Sequence, residues 1–214
     1  MKSMEKAFII GNGESRKSFD LMILKGKGVV FGCNALYRDF QISNPKYVLP
    51  DYLVAIDDEI ITEIESSDFP SSRFINPPED EKWEPVELHW GKAVNKDWDL
   101  KRPRSNAGMN AMFEAIKMGH TDLHLLGFDA LLVDKTIALS NLYKDSACYT
   151  ANTAASISDC RNRIHFIGWS VEKHKDVNFN FYFPSDIIKK GVYTPQVKNF
   201  FCKDFSFLQL QFQE

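Results

Sequence analysis

Short apolar runs that do not alternate with polar residues, each stopped by a small or polar group, constrain this chain most. Residues 7–10 (Ala-Phe-Ile-Ile), 29–32 (Val-Val-Phe-Gly), 52–56 (Tyr-Leu-Val-Ala-Ile) and 121–129, centred on Leu123-His124-Leu125-Leu126, are of this kind. A strand with one wet face reads apolar, polar, apolar, whereas a run that is apolar throughout needs cover on both sides. Helical patterns separate the runs, so the sequence predicts an α/β fold: a parallel sheet with helices on both faces. At 214 residues, one domain spanning residues 1–214 is expected.

The intervening segments give the organisation. Residues 15–24 carry apolar Phe19, Leu21, Met22 and Leu24 behind Ser15, predicting a helix capped by that serine. An acidic helix is expected over 59–66, and a small-residue helix over 106–118, where Ala107, Met109, Ala111, Met112 and Ala115 allow close approach to a sheet. A long helix at 153–174 and a last core strand at 177–183, stopped by Pro184, complete the core. Residues 69–104 form an irregular insertion rich in Pro and Trp, with a short strand at 73–75. Its Trp83, Trp90 and Trp98 read first as cover for the core edge, with a substrate-facing role as the alternative. Residues 134–150 are polar and irregular, expected as a mobile lid. The tail at 192–214 alternates through Phe205, Phe207 and Leu208, expected as an added edge strand or a partner contact.

Composition closes off several functions. A net charge of -3 gives no basic surplus for a nucleic-acid scaffold. Cys33, Cys148, Cys160 and Cys202 are scattered, without zinc-ligand spacing, and read as reduced thiols. No run approaches the roughly 20 apolar residues of a membrane helix, and the opening residues lack a signal peptide's apolar centre. A cytoplasmic protein without a membrane span is expected.

Polar chemistry collects where the strands end: Gly11-Asn12-Gly13, Cys33-Asn34, Asp57-Asp58 and Gly127-Phe128-Asp129. In an open parallel sheet these C-terminal ends line one crevice, the usual place for a ligand. Gly11 and Gly13 let the backbone turn sharply, and the amides near Ser15 point towards any anion held there. The same turn is also a tight strand-to-helix connection; a dinucleotide fingerprint would place a third glycine at position 16, which is Arg16. Asn12 and Asn34 offer donor and acceptor to a base edge, a ribose or a phosphate. Asp57 and Asp129 suit ribose hydroxyls or Mg²⁺, and equally suit caps and turns; Asp58 reads as a cap.

Taken in order, Ile10-Gly11-Asn12-Gly13-Glu14-Ser15, Cys33-Asn34, Arg104-Ser105-Asn106-Ala107-Gly108, and Leu126-Gly127-Phe128-Asp129 resemble the landmarks of the bacterial sialyltransferases of glycosyltransferase family 42. In looser form they resemble the related flagellin-glycosylation proteins and hydroxymethylpterin diphosphokinases. The resemblance covers residues 7 to 130, with Phe181 to Ser185 similar to the last core strand. It implies a Rossmann-like, sialyltransferase-like sheet that binds a nucleotide-sugar donor and needs no metal. By the same implication Gly11, Asn12, Gly13 and Ser15 approach the phosphate, Asn34 the ribose or base, and Arg104, Asn106 and Gly108 the sugar or phosphate. Ala107 replaces the family's serine, which leaves Asn106 as the polar contact.

The match departs at the catalytic end. The family's tyrosines after Gly-Ile-Asp are replaced by Ala130-Leu131-Leu132-Val133, so Asp129, Tyr143 and Tyr149 are the catalytic candidates, the tyrosines only if their loop folds back. No histidine lies between His124 and His165, and His165 reads as a core or flank residue. Asp57 stands where the sialyltransferases carry Asn, towards the broader group. Three functions follow: a glycosyltransferase-like enzyme moving a sugar from a nucleotide donor to an acceptor not specified by the sequence; a binding or assembly module that has lost the chemistry, with a second copy of the chain among its conceivable partners; and a diphosphokinase with Mg²⁺ held by Asp57 and Asp129.

Overall fold

A computed structural model describes residues 6–40, 50–77, 106–150 and 155–212. Among them, β1 (Lys6–Ile10), β2 (Val29–Cys33), β3 (Tyr52–Val54), β4 (Phe74–Ile75), β5 (Asp122–Leu126), β6 (Asn178–Phe183) and β7 (Phe200–Asp204) form one sheet. Its order is β4-β3-β2-β1-β5-β6-β7, with every neighbouring pair parallel. Winding runs outward from β1 in one direction and outward from β5 in the other, a Rossmann-like arrangement whose reversal falls between those two strands.

The apolar runs divide strictly by parity. Ala7 and Ile9 join Phe31, Leu125 and Phe181 on the face covered by α2 (Ala107–Lys117) and α4 (Ile157–Lys173). Phe8 and Ile10 join Leu53 and Tyr182 on the opposite face, under α1 (Asp58–Glu65), three 3₁₀ segments and a C-terminal helix over Phe205–Phe212. Successive strand side chains point to opposite faces, so a run that is buried on both must be apolar at every position. Ile10 sits in register with Gly32 and Leu126, which brings the ends of β1, β2 and β5 level.

Several elements differ from their sequence-based expectation. The helix over 15–24 is replaced by two 3₁₀ segments, Glu14–Ser18 and Leu21–Leu24. Ser15 caps nothing; Asp20 caps the second segment, accepting the Met22 N–H at 2.9 Å. The cause is tertiary, because Arg16 is drawn inward rather than left on a solvent face. The long helix α4 starts at Ser156 with a reciprocal capping box to Asp159. The tail forms edge strand β7 only as far as Asp204, and the aromatic alternation beyond it is helical. Residues 135–138 form a short helix, α3 (Lys135–Ala138), and 139–150 lie folded against the sheet rim, where the Leu142 N–H donates to the Asn12 carbonyl at 3.0 Å. Residues 185–190 add α5 (Ser185–Lys190), after which the Phe205–Phe212 helix is α6. The tryptophan-rich part of the insertion and Arg104 lie outside the described residues. Among those described, no helix is long and apolar enough to cross a membrane.

Candidate functional site

At the sheet's reversal point β1 and β5 stay in contact past their last residues. The Gly11 N–H donates to the Leu126 carbonyl at 2.8 Å and the Gly13 N–H to that of Gly127 at 3.0 Å. Gly127 adopts φ +73, and a Cβ at Gly11 would lie 2.5 Å from its carbonyl oxygen, so glycine is required on both sides. That pairing turns the chain after β5 so that Asp129 faces the turn after β1. The Asp129 carboxylate takes the Ser15 N–H on Oδ2 at 2.9 Å and the Ser15 hydroxyl on Oδ1. Burial pushes its pKa up to about 6, against the opposing pull of the two Ser15 hydrogen bonds. The Ser15 N–H, one of the amides expected to face an anion, is thus taken by a carboxylate of the chain itself.

Arg16 locks the same turn from beneath. It is buried, and its Nε donates to the Gly11 carbonyl at 2.6 Å. Its other arm reaches Asp39 at 3.3 Å and the Tyr143 hydroxyl at 3.0 Å, while that hydroxyl donates to Asp39 at 2.8 Å. Arg38 holds the next part of the loop: it donates to Glu63 through Nε at 2.7 Å, to Ser146 Oγ at 2.9 Å and to the Ala147 carbonyl at 3.0 Å. The loop that carries both candidate tyrosines therefore folds back, as the sequence required for either to act. Tyr143 is consumed by the Arg16–Asp39 network.

Tyr149 reaches the second cluster, centred on Cys33 at the end of β2. Asn12 donates from Nδ2 to the Tyr149 hydroxyl at 3.3 Å, and its Oδ1 lies 3.6 Å from Cys33 Sγ. Asn34, at φ +47, occupies the left-handed region that asparagine tolerates better than most residues, and its Nδ2 lies 3.5 Å from Asp57 Oδ2. Its Oδ1 is buried with no hydrogen-bond partner. Cys33, Ile56 and Ala107 pack together, which brings the end of β3 and the start of α2 to the same place. A Cβ at Gly108 would lie 3.8 Å from Cys33 Sγ and 3.4 Å from Asn106 Oδ1. Asn106 caps α2, accepting the Met109 N–H at 2.8 Å. Burial raises the Cys33 thiol to about 12 and raises the Tyr149 phenol as well, so both stay protonated near neutrality.

Of the residues singled out by sequence, Asn12, Asn34, Asp57, Asn106, Gly108 and Tyr149 thus gather around Cys33. Gly11, Gly13, Ser15 and Asp129 form the neighbouring internal knot, and Tyr143 belongs to the clamp beneath it. Asp129 keeps both oxygens on Ser15, while Asp57 stands with Asn34. Among the described residues, no group of three or more His, Cys, Asp or Glu is placed to hold a metal.

Arg163 on α4 was missed by sequence. Its charge acts on Cys33 and Asp57, and its Nε is buried without a partner. The available signal was its spacing: Arg163 shares the buried stripe of Cys160, Phe166, Ile167 and Ser170 at helical intervals. An open hollow of about 510 Å³ beside the knot is lined by Glu14, Ser15, Lys17, Ile137 and Pro184, among others, and has no unpartnered buried polar atom in its wall.

Fold and site together define a Rossmann-like parallel α/β protein with a polar cluster at its strand ends. No family model, curated protein or solved structure matches the chain.

Proposed function

We propose that this chain is a cytoplasmic, glycosyltransferase-like protein that binds a nucleotide-linked sugar at the cluster formed by Asn12, Asn34, Asp57, Asn106 and Tyr149. The observation that carries the reading is the unpartnered Asn34 Oδ1 beside Asp57. A buried acceptor left unmade costs about 1–3 kcal/mol, and ribose hydroxyls or a base N–H would supply its partner. The position, at the C-terminal ends of parallel strands, is where such folds take nucleotides. Tyr149, kept protonated by burial, supplies a donor O–H to the departing phosphate oxygen as the bond between that oxygen and the sugar's anomeric carbon breaks and one to the acceptor oxygen forms, the acceptor's proton passing to the released phosphate. Four free cysteines agree with a reducing compartment.

A second reading, a binding or assembly module without transfer chemistry, is favoured by Asp129, whose carboxylate takes the Ser15 N–H and hydroxyl.

A melting screen against cytidine, uridine, adenosine and guanosine phosphates and their sugar conjugates tests both. Ligand at 100 times its Kd adds about 2.7 kcal/mol, and Asn34→Ala or Asp57→Ala should remove the shift. No shift with any of these compounds overturns ligand binding. Binding without turnover of any sugar conjugate selects the module.

A further inference from the structure

We infer that Arg163 is the anion anchor of this cluster, gripping a phosphate or carboxylate group of the bound donor; the inference rests on the donor-site reading above and names the chemistry that site selects.

Buried Arg16 and half-buried Arg38 show what this chain does with such a group. Arg16 meets a carboxylate, a carbonyl and a phenol; Arg38 meets a carboxylate, a hydroxyl and a carbonyl. Arg163 is largely buried too, yet no hydrogen bond or ion pair to a described residue satisfies it, and its Nε is shut away from water. The nearby carboxylates, Asp159 and Asp57, attract it electrostatically without a hydrogen bond to it. Asp159, one turn earlier on α4, takes the Ser156 N–H at 2.8 Å and its hydroxyl at 2.7 Å in the capping box, and Asp57 faces Asn34.

A largely buried guanidinium whose Nε makes no hydrogen bond is costly even with the Asp159 and Asp57 charges in electrostatic reach. The capping box fixes where α4 begins, and Arg163 then falls on the stripe that packs inward, so the side chain is held at the rim by the helix itself. Its planar fork of donors suits two oxygens of one phosphate or carboxylate. The Asp57 carboxylate and Asn34 Oδ1 beside it repel a bare anion and accept hydrogen bonds. The preferred ligand therefore carries hydroxyls or N–H groups next to its anionic group, as a nucleoside phosphate or a sugar acid does, rather than inorganic phosphate alone.

The test compares wild type with Arg163→Met and Arg163→Lys by titration with matched nucleosides and nucleoside monophosphates, with glucuronate as the carboxylate probe. Wild type should prefer nucleotide over nucleoside by about tenfold or more, a step of 1.4 kcal/mol. Arg163→Met should bind the two alike, Arg163→Lys should keep part of the preference, and unliganded Arg163→Met should melt no lower than wild type. A response to glucuronate rather than nucleotide assigns the anchor to a sugar carboxylate. Nucleotide binding unchanged in Arg163→Met overturns the inference and leaves the donor reading standing. If wild type binds no nucleoside or nucleotide, the donor reading fails, and the Nε–H resonance of Arg163 decides the anchor: a shift with pyrophosphate or glucuronate upholds it, and no shift with either overturns it.

Discussion

The Asp129 carboxylate lies against Ser15, 114 residues earlier in the chain, with Oδ2 accepting the serine N–H at 2.9 Å. One internal carboxylate thereby ties the turn after β1 to the turn after β5 at the point where the sheet reverses its winding. The arrangement is buried, and desolvation outweighs the two hydrogen bonds that favour the charged form. The knot is therefore pH-dependent.

Asp129 has a folded pKa of about 6 against a reference of 3.8. A carboxyl with a raised folded pKa favours folding in its protonated form, so its contribution is complete below about 3.8 and is lost as pH rises through about 6. Above that, the cost approaches about 3 kcal/mol at 1.36 kcal/mol per unit. The carboxamide of an Asp129→Asn variant still accepts the Ser15 N–H and carries no charge. Urea unfolding should show this variant more stable than wild type at pH 7, with the gap narrowing towards pH 4. A gap of constant size from pH 4 to pH 7 would rule this out.

Gly13→Ala tests the same contact sterically. A Cβ there would lie 2.4 Å from Asp129 Cγ and 2.5 Å from the Gly127 carbonyl oxygen, one buried side chain and one backbone atom. Neither can yield cheaply, so the variant should lose about 3 kcal/mol, the upper end of ordinary overpacking. In an Asp129→Ala background the added loss should be smaller but not zero, because the Gly127 carbonyl remains. A double-mutant cycle measures that coupling, and strict additivity would contradict the geometry.

What the sequence made legible follows from range. The core strands could be read because burial on both faces leaves a local mark, an unbroken apolar run, and the strand ends fell within three residues of where those runs stop. The tail could not be read so simply. Phe205 and Leu208 are buried at helical spacing, but over so few residues they also fit the alternation of a strand. Residues 15–24 have helical apolar spacing, yet Arg16 and Ser15 are taken up by Gly11 and Asp129, and these tertiary bonds outweigh local propensity. The rim cluster was half legible. Asn12, Asn34 and Asp57 could be named because each stands just past a strand, whereas the direction of Asp129 depends on the φ +73 turn at Gly127, and Arg163 arrives from a helix distant in sequence. Contacts across more than a hundred residues leave no periodic trace.

The two tyrosines of the folded-back loop separate stability from site chemistry. Tyr143 accepts from Arg16 at 3.0 Å and donates to Asp39 at 2.8 Å, two hydrogen bonds with charged partners inside the clamp that seats the loop. The Tyr149 hydroxyl faces the Cys33 cluster and meets neutral partners, with Asn12 Nδ2 at 3.3 Å. Hydrogen bonds to charged groups contribute about 1.5–3 kcal/mol each and neutral ones about 1. Arg16 and Asp39 remain paired with each other when the phenol is removed, which limits the loss. Tyr143→Phe should therefore cost about 2 kcal/mol in urea unfolding and speed proteolysis within residues 139–150. Tyr149→Phe should cost under about 1 kcal/mol and leave the proteolysis rate unchanged, since Arg38, itself paired with Glu63, still holds the loop by the Ser146 hydroxyl and the Ala147 carbonyl. Equal destabilisation by the two substitutions would mean that the clamp does not hold the loop in place.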